Sequence, residues 1–181
     1  NPLGEASVID NDRDKNFTVD LKLLADQKYT IIFWAEVNGA GHYGTGDLRN
    51  VSINTTKEIY ANDESRAAFY RRYDFETKNG ETVKETLYLS RPFAQINLGA
   101  ADYSALEDIY DFIGKDLNDL KTTIAAAKVP CVLNVLTGVA DTEAEVKFAL
   151  ADATALAVAA DDIVHEEKHY TLVGSNYIFA N

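Results

Sequence analysis

The sequence predicts a mainly β protein built as an antiparallel sandwich, and three observations carry that prediction. Two long aromatic and β-branched runs, Tyr29–Val37 (YTIIFWAEV) and Thr86–Gly99 (TLYLSRPFAQINLG), read as strands buried on both faces. Several shorter segments alternate apolar and polar residues with the period of a half-buried strand. Turn residues recur roughly every ten to fifteen positions, a spacing that favours a sandwich over an array of strand–helix–strand units.

Asn1–Asp20 is polar and turn-rich, and residues 1–16 read as a leader preceding a domain that spans 17–181. Phe17–Leu24 (FTVDLKLL) sets Phe17, Val19, Leu21 and Leu23 against Thr18, Asp20 and Lys22, which predicts a half-buried strand. The Tyr29–Val37 strand follows a polar turn, and the glycine-rich Asn38–Gly46 predicts a mobile hairpin tip before a strand at Leu48–Ile53. Ala61–Tyr73 (ANDESRAAFYRRY) has helical spacing at Ala67 and Tyr70, with Asn62 or Asp63 able to cap it. Asp74–Leu98 reads as a hairpin about Asn79-Gly80, since Asn-Gly supplies the positive φ angles of a tight turn.

The period then changes. Asp102 is placed to cap a helix carrying Leu106, Ile109, Tyr110 and Ile113 on one face, with Gly114 as its stop. Asp116–Ala127 suits either a second helix or an edge strand. Strands are expected at Pro130–Leu136, Glu145–Leu150, Tyr170–Val173 and Tyr177–Phe179, the last two turning about Gly174-Ser175. Asp152–Ala160 is too plain in composition to place. The total is about eight or nine strands with one or two short helices.

Composition narrows the partners. The chain has 181 residues, enough for one large domain with its own core, and 29 acids against 17 bases give a formal charge of −12. That charge repels phosphate backbones, so nucleic acid is not an expected partner. No apolar run reaches the roughly 20 residues of a membrane span. No basic and apolar leader opens the chain, and it contains no Met, so Asn1 reads as the start of a trimmed or processed form, from which a signal peptide or lipid anchor could have been removed without trace. The single cysteine, Cys131, stands between apolar residues and reads as a small core residue.

Each chemical motif meets a structural alternative. Asp10, Asp12 and Asp14 alternate as at the start of a calcium loop, but the sixth position lacks Gly and the twelfth, Leu21, is not Glu. Asn38–Gly46 lacks the Lys and Ser/Thr of a phosphate cradle; His42 and Tyr43 at its tip stand where a ligand would be touched. His165-Glu166-Glu167-Lys168-His169 matches the His-Glu-x-x-His spacing that places two imidazoles on one zinc, provided the segment is helical. The residues after it read as strand, so a solvated charged turn is the expectation and His165 and His169 are the only zinc candidates. Ser175 lacks the second glycine of a nucleophile elbow, and Cys131 has no neighbouring histidine. The glycosylation sequons at Asn16, Asn50 and Asn54 are short enough to arise by chance. No catalytic residue, cofactor or metal is assigned.

Tyr29–Glu36 (YTIIFWAE), Ala68–Tyr70 (AFY), Arg91–Gly99 (RPFAQINLG), Leu133–Gly138 (LNVLTG) and Asn176-Tyr177 occur together in an order and at spacings that resemble one group of proteins. They are similar to fimbrillin-like surface proteins of Gram-negative Bacteroidales, in particular a domain class of unassigned function in predicted surface lipoproteins. The resemblance covers the chain from about Phe17 onward. It implies a transthyretin-like or immunoglobulin-like β-sandwich and export to the cell surface or outer membrane. The implied role is non-enzymatic: a fimbrial subunit, anchor or tip-like adhesin that assembles with other subunits by strand donation or meets surface ligands. A lipid anchor outside this chain would be its only tie to a membrane. For strand exchange the expected segments are the Tyr170–Phe179 pair or the lead before Phe17. The alternative is a glycan- or protein-binding module using Trp34 or exposed tyrosines as a stacking platform.

Overall fold

A computed structural model of the chain describes residues 17–55, 59–60, 63–115, 122–150, 163–165 and 168–180. The protein is mainly β, with several antiparallel pairings and one short α-helix among the described residues, an arrangement consistent with a β-sandwich. Its strands are β1 (Lys28–Glu36), β2 (Tyr43–Gly44), β3 (Val51–Ile53), β4 (Ile59–Tyr60), β5 (Ala68–Glu76), β6 (Phe93–Ala100), β7 (Thr122–Asn134), β8 (Val139–Leu150), β9 (Ile163–His165) and β10 (Lys168–Phe179), with helix α1 at Tyr103–Phe112. Two compact units divide the chain, residues 1–31 with 73–87 and residues 32–72 with 88–181.

The larger unit holds two facing sheets. One runs β2-β3-β7-β8-β4 and the other β6-β10-β9, and β10 packs against β7 and β8. Alternation along β7 sends Val129, Cys131 and Leu133 inward, where they meet Val51 and Ile53 of β3, Ala140 and Val146 of β8, and Phe179 of β10. Phe179 stacks on Phe93 at 5.6 Å between centroids and lies 6.1 Å from Tyr43. The antiparallel pairs β7–β8, β3–β7 and β6–β10 agree with the sequence expectation. β4 departs from it, joining β8 in parallel.

The smaller unit is held mostly by polar contacts. Leu24 is fixed by its backbone: its N–H donates to the Tyr29 hydroxyl at 3.0 Å, and its carbonyl accepts from Thr77 Oγ1 at 2.6 Å. Thr30 Oγ1 donates to Asp74, and the Tyr29 and Tyr73 rings each stack on Phe75.

Several sequence expectations change here for identifiable reasons. Phe17–Leu24 has no ladder among the described residues, and Phe17, Leu21, Leu23 and Leu24 lie open, Leu24 most of all. Ala61–Tyr73 is not helical where described: a single 3-10 turn at Glu64–Arg66, capped by Asp63, gives way to β5. Phe69 and Tyr70 have the β-propensity that wins once a partner strand is present, and β1 supplies it. Asn79-Gly80 does turn, with Gly80 at φ +77° and Glu81 N–H donating to the Lys78 carbonyl at 3.2 Å. Residues 81–89 nevertheless form no strand, and only the Tyr70–Ser90 bridge joins the two arms, because β5 pairs with β1 and β6 with β10.

The Thr86–Gly99 run is likewise not a central strand. β6 lies at the edge of its sheet, with Ala94, Gln95, Asn97 and Leu98 exposed, and Tyr88 before it stands almost fully in solvent. Gly174-Ser175 lies inside one continuous β10 instead of forming a turn, next to a bulge at Val173, since Leu172 faces Gly99 while Gly174 faces Leu98 and Val173 is left over. Thr122–Ala127 resolves as strand, and residues 116–121 and 152–160 lie outside the described residues. α1 ends as read, in a Schellman motif: Gly114 at φ +66° donates to the Asp111 carbonyl and Lys115 to that of Tyr110. Asp102 precedes it without a side-chain capping bond, and Ile109, Phe112 and Ile113 are exposed.

Candidate functional site

A surface cleft of about 230 Å³ opens in the larger unit between the first half of β5 and the β7–β8 turn. Tyr70, Arg71 and Arg72 form one wall, Ser90 stands beside them, and the turn Val135–Gly138 forms the other. Both walls are fixed by main-chain bonds. Tyr70 and Ser90 exchange N–H···O bonds of 2.9 and 3.0 Å. Across the cleft, Asn134 Oδ1 accepts from Leu136 N–H at 3.0 Å and Thr137 N–H at 3.2 Å, while Gly138 N–H donates to the Asn134 carbonyl at 2.7 Å. Val135 is fully buried and its N–H donates to the Leu48 carbonyl, which anchors the turn to the core.

Arg72 ties the walls together, Nη1 donating to the Leu136 carbonyl at 3.1 Å. Gly138 sits at φ +73°, and a Cβ built there would stand 3.6 Å from the Tyr70 hydroxyl. No Asp or Glu lines the cleft, so two arginines face it within a chain of formal charge −12. Such a site is pre-formed, positively charged and open to solvent.

A second polar cluster lies around the 3-10 turn. The Asp63 carboxylate accepts from Ser65 N–H at 3.0 Å and from its hydroxyl at 2.5 Å, and His42 Nε2 lies 2.8 Å from Ser65 Oγ and 3.5 Å from Asp63 Oδ2. Serine, histidine and aspartate meet here without forming a nucleophile relay. In a relay the carboxylate holds the ring nitrogen opposite the one that takes the serine proton. Here one nitrogen faces both groups, and the hydroxyl donates to the carboxylate. The Asp63 charge favours the ionised form of the buried Arg66. That side chain is 2% exposed and donates to the Tyr177 carbonyl, while the Tyr43 hydroxyl donates to the Arg66 carbonyl at 2.6 Å. Desolvation lowers the Arg66 pKa and pushes the Tyr43 phenol up to about 12, the nearby guanidinium opposing the latter.

The other residues singled out in the sequence are dispersed. Tyr43 is core, not a ligand-touching tip, and the partly buried Trp34 packs edge-on against it with Nε1 donating to Glu36. The zinc candidates fail their helical condition. His165 ends β9, His169 lies in β10, and the register pairs His165 with Lys168 and His169 with Val164. They occupy adjacent rungs of a strand pair, so the shared helical face that would bring two imidazoles to one ion is absent; Glu166 and Glu167 lie outside the described residues. Among the described residues no three His, Cys, Asp or Glu are grouped to hold a metal. Asp10, Asp12 and Asp14 fall outside the described residues. Cys131 is buried, and burial raises its thiol pKa. Ser175 is held by Gln95 Nε2 at 2.6 Å.

Sequence reasoning missed the cleft because its walls are about 65 residues apart and one was read as helix. The available signal was Arg71-Arg72 beside Tyr70, a doubled base in an acidic chain. No helix among the described residues is long and apolar enough to cross a membrane. No curated protein and no solved structure matches the chain. The model of DUF6562, a family of unknown function, matches residues 4–181, and the chain belongs to that family.

Proposed function

We propose that this protein is a non-enzymatic structural or adhesive component of a bacterial surface assembly, exported to the outer membrane and joined to other subunits through strand edges. The observation that carries this reading is the segment 17–24. It has the alternation of a half-buried strand, yet it belongs to no ladder among the described residues, and along its apolar stripe Phe17 is 44%, Leu21 50% and Leu23 37% exposed while Val19 is half-buried. An apolar stripe of this kind is stabilised only when a sheet covers it, and a second subunit can provide that sheet. β6 offers a matching edge, being paired only with β10 among the described residues.

Of the two terminal segments expected to be exchanged, β10 is the poorer donor. It is the middle strand of its own sheet, and Phe179 is 1% exposed in the core. The lead before Phe17 lies outside the described residues. Native mass spectrometry of the chain, with and without residues 1–24, tests the reading. Concentration-dependent oligomers that disappear on truncation, and uptake of a synthetic 17–24 peptide by the truncated chain, are expected. A strict monomer at high concentration that takes up no peptide would refute assembly by this segment. The cleft at Tyr70 favours a second reading, in which the domain is a glycan- or protein-binding module of a surface protein.

A further inference from the structure

We infer that the Tyr70–Gly138 cleft is a binding site for a carboxylate-bearing sugar residue, a uronic-acid unit of an acidic glycan. The inference deepens the binding-module reading and stands apart from assembly through residues 17–24. At about 230 Å³ the cleft falls below the roughly 300–1,000 Å³ of sites for drug-sized ligands, which matches one ring and not an extended molecule. Its charge selects the ligand. Arg71 and Arg72 line it, no carboxylate does, and the guanidinium is suited to planar, two-point recognition of a carboxylate. Arg71 is exposed and has no ion-pair partner among the described residues.

The rest of the lining suits the sugar that carries the acid. The hydroxyls of Tyr70, Ser90 and Thr137 supply donors and acceptors for ring hydroxyls, and the Tyr70 ring adds an amphipathic surface. Gly138 keeps the space before the Tyr70 hydroxyl clear of a side chain. Because main-chain bonds and the Arg72–Leu136 contact fix both walls, little ordering is needed on binding. An acidic peptide would instead call for backbone pairing along a groove. Along the cleft Tyr70 and Ser90 bond each other through their main chains, Val135 N–H donates to the Leu48 carbonyl, and Gly138 N–H donates to the Asn134 carbonyl.

The test is calorimetric titration of the full chain with glucuronate and a glucuronate-containing tetrasaccharide, against glucose and N-acetylglutamate amide. Glucuronate and the tetrasaccharide should bind, glucose should not, and affinity should fall as salt is raised. Arg72→Glu and Arg71→Glu should each weaken binding about tenfold or more. Lys147→Glu, an equal charge change at an exposed residue outside the lining, should leave it unchanged. Arg71→Glu keeps the test decisive if Arg72→Glu unfolds the chain by releasing the Leu136 turn. Absence of glucuronate binding at millimolar concentration overturns the inference, as does equal binding of glucose. Tighter binding of N-acetylglutamate amide overturns the sugar in favour of a peptide acid. A full chain that binds glucuronate yet stays a strict monomer at high concentration would count against assembly alone.

Discussion

Removing the Phe179 ring tests whether two sheets share one core in the larger unit. Phe179 is 1% exposed, stacks on Phe93 at 5.6 Å and 13°, and lies 6.1 Å from Tyr43. Phe179→Ala loses about 1.5–3 kcal/mol of burial, and a cavity adds to that at about 24 cal/mol per Å³ it retains. The cavity has little room to collapse. Tyr43 is fixed through its hydroxyl to the Arg66 carbonyl, and Ala180 N–H donates to the Pro92 carbonyl on either side of the ring pair. The loss should therefore fall near the middle of the usual range, about 4 kcal/mol. With a slope near 2 kcal/mol per molar urea, the unfolding midpoint drops by about 2 M at unchanged slope. Phe93→Ala alone should cost less because Phe93 is only partly buried, and the double variant should fall short of the sum by about 1 kcal/mol. A loss under about 1.5 kcal/mol for Phe179→Ala, or strict additivity, would refute the shared core.

Tyr43 should make stability fall at high pH: its phenol is raised to about 12 while the unfolded chain ionises near 10, so the native state holds a proton the unfolded state has lost. Stability is then complete below pH 10 and drops by roughly 2–3 kcal/mol as pH climbs to 12, a loss that Tyr43→Phe should remove from urea titrations. Asn176 is 2% exposed with no hydrogen-bond partner for either side-chain atom among the described residues, so Asn176→Leu should be neutral or stabilising in thermal melts; a loss above about 2 kcal/mol would mean the amide is satisfied. Cys131 should resist a thiol reagent at pH 8 until denaturant is added, because the buried thiol has its pKa raised.

The elements legible in the sequence are those whose local pattern and tertiary setting agree. Pro130–Leu136 and Glu145–Leu150 correspond to β7 and β8, and the 102–114 helix ends on its predicted glycine, whereas Tyr29–Val37 forms β1 but is not covered on both faces: it pairs with β5 in a two-stranded sheet and is at most half-buried. β7 and β8 alternate because one face packs on the core, and alternation is what a sequence displays. The failures occur where strand partnering decides. Asn79-Gly80 turns locally, but a turn does not choose partners, and β5 and β6 each find a distant one. The AFY strand was hidden by helical spacing over a segment too short for periodicity to distinguish the two.

The cleft marks where sequence reading of this chain stops. Its chemistry depends on Arg71-Arg72 being set beside the Asn134–Gly138 turn, a juxtaposition made by core packing through Val135 and by one hydrogen bond, Arg72 to the Leu136 carbonyl. Neither segment carries a motif by itself. His165-Glu166-Glu167-Lys168-His169 has the opposite character: its motif is complete in the sequence, and the backbone around it is strand. Spacing acquires chemical meaning only with a backbone period attached, and i, i+4 brings two imidazoles together on a helix alone. The local motif therefore loses its metal reading, and the unmarked arginines gain a ligand reading, for the same reason: the sheet determines which side chains meet.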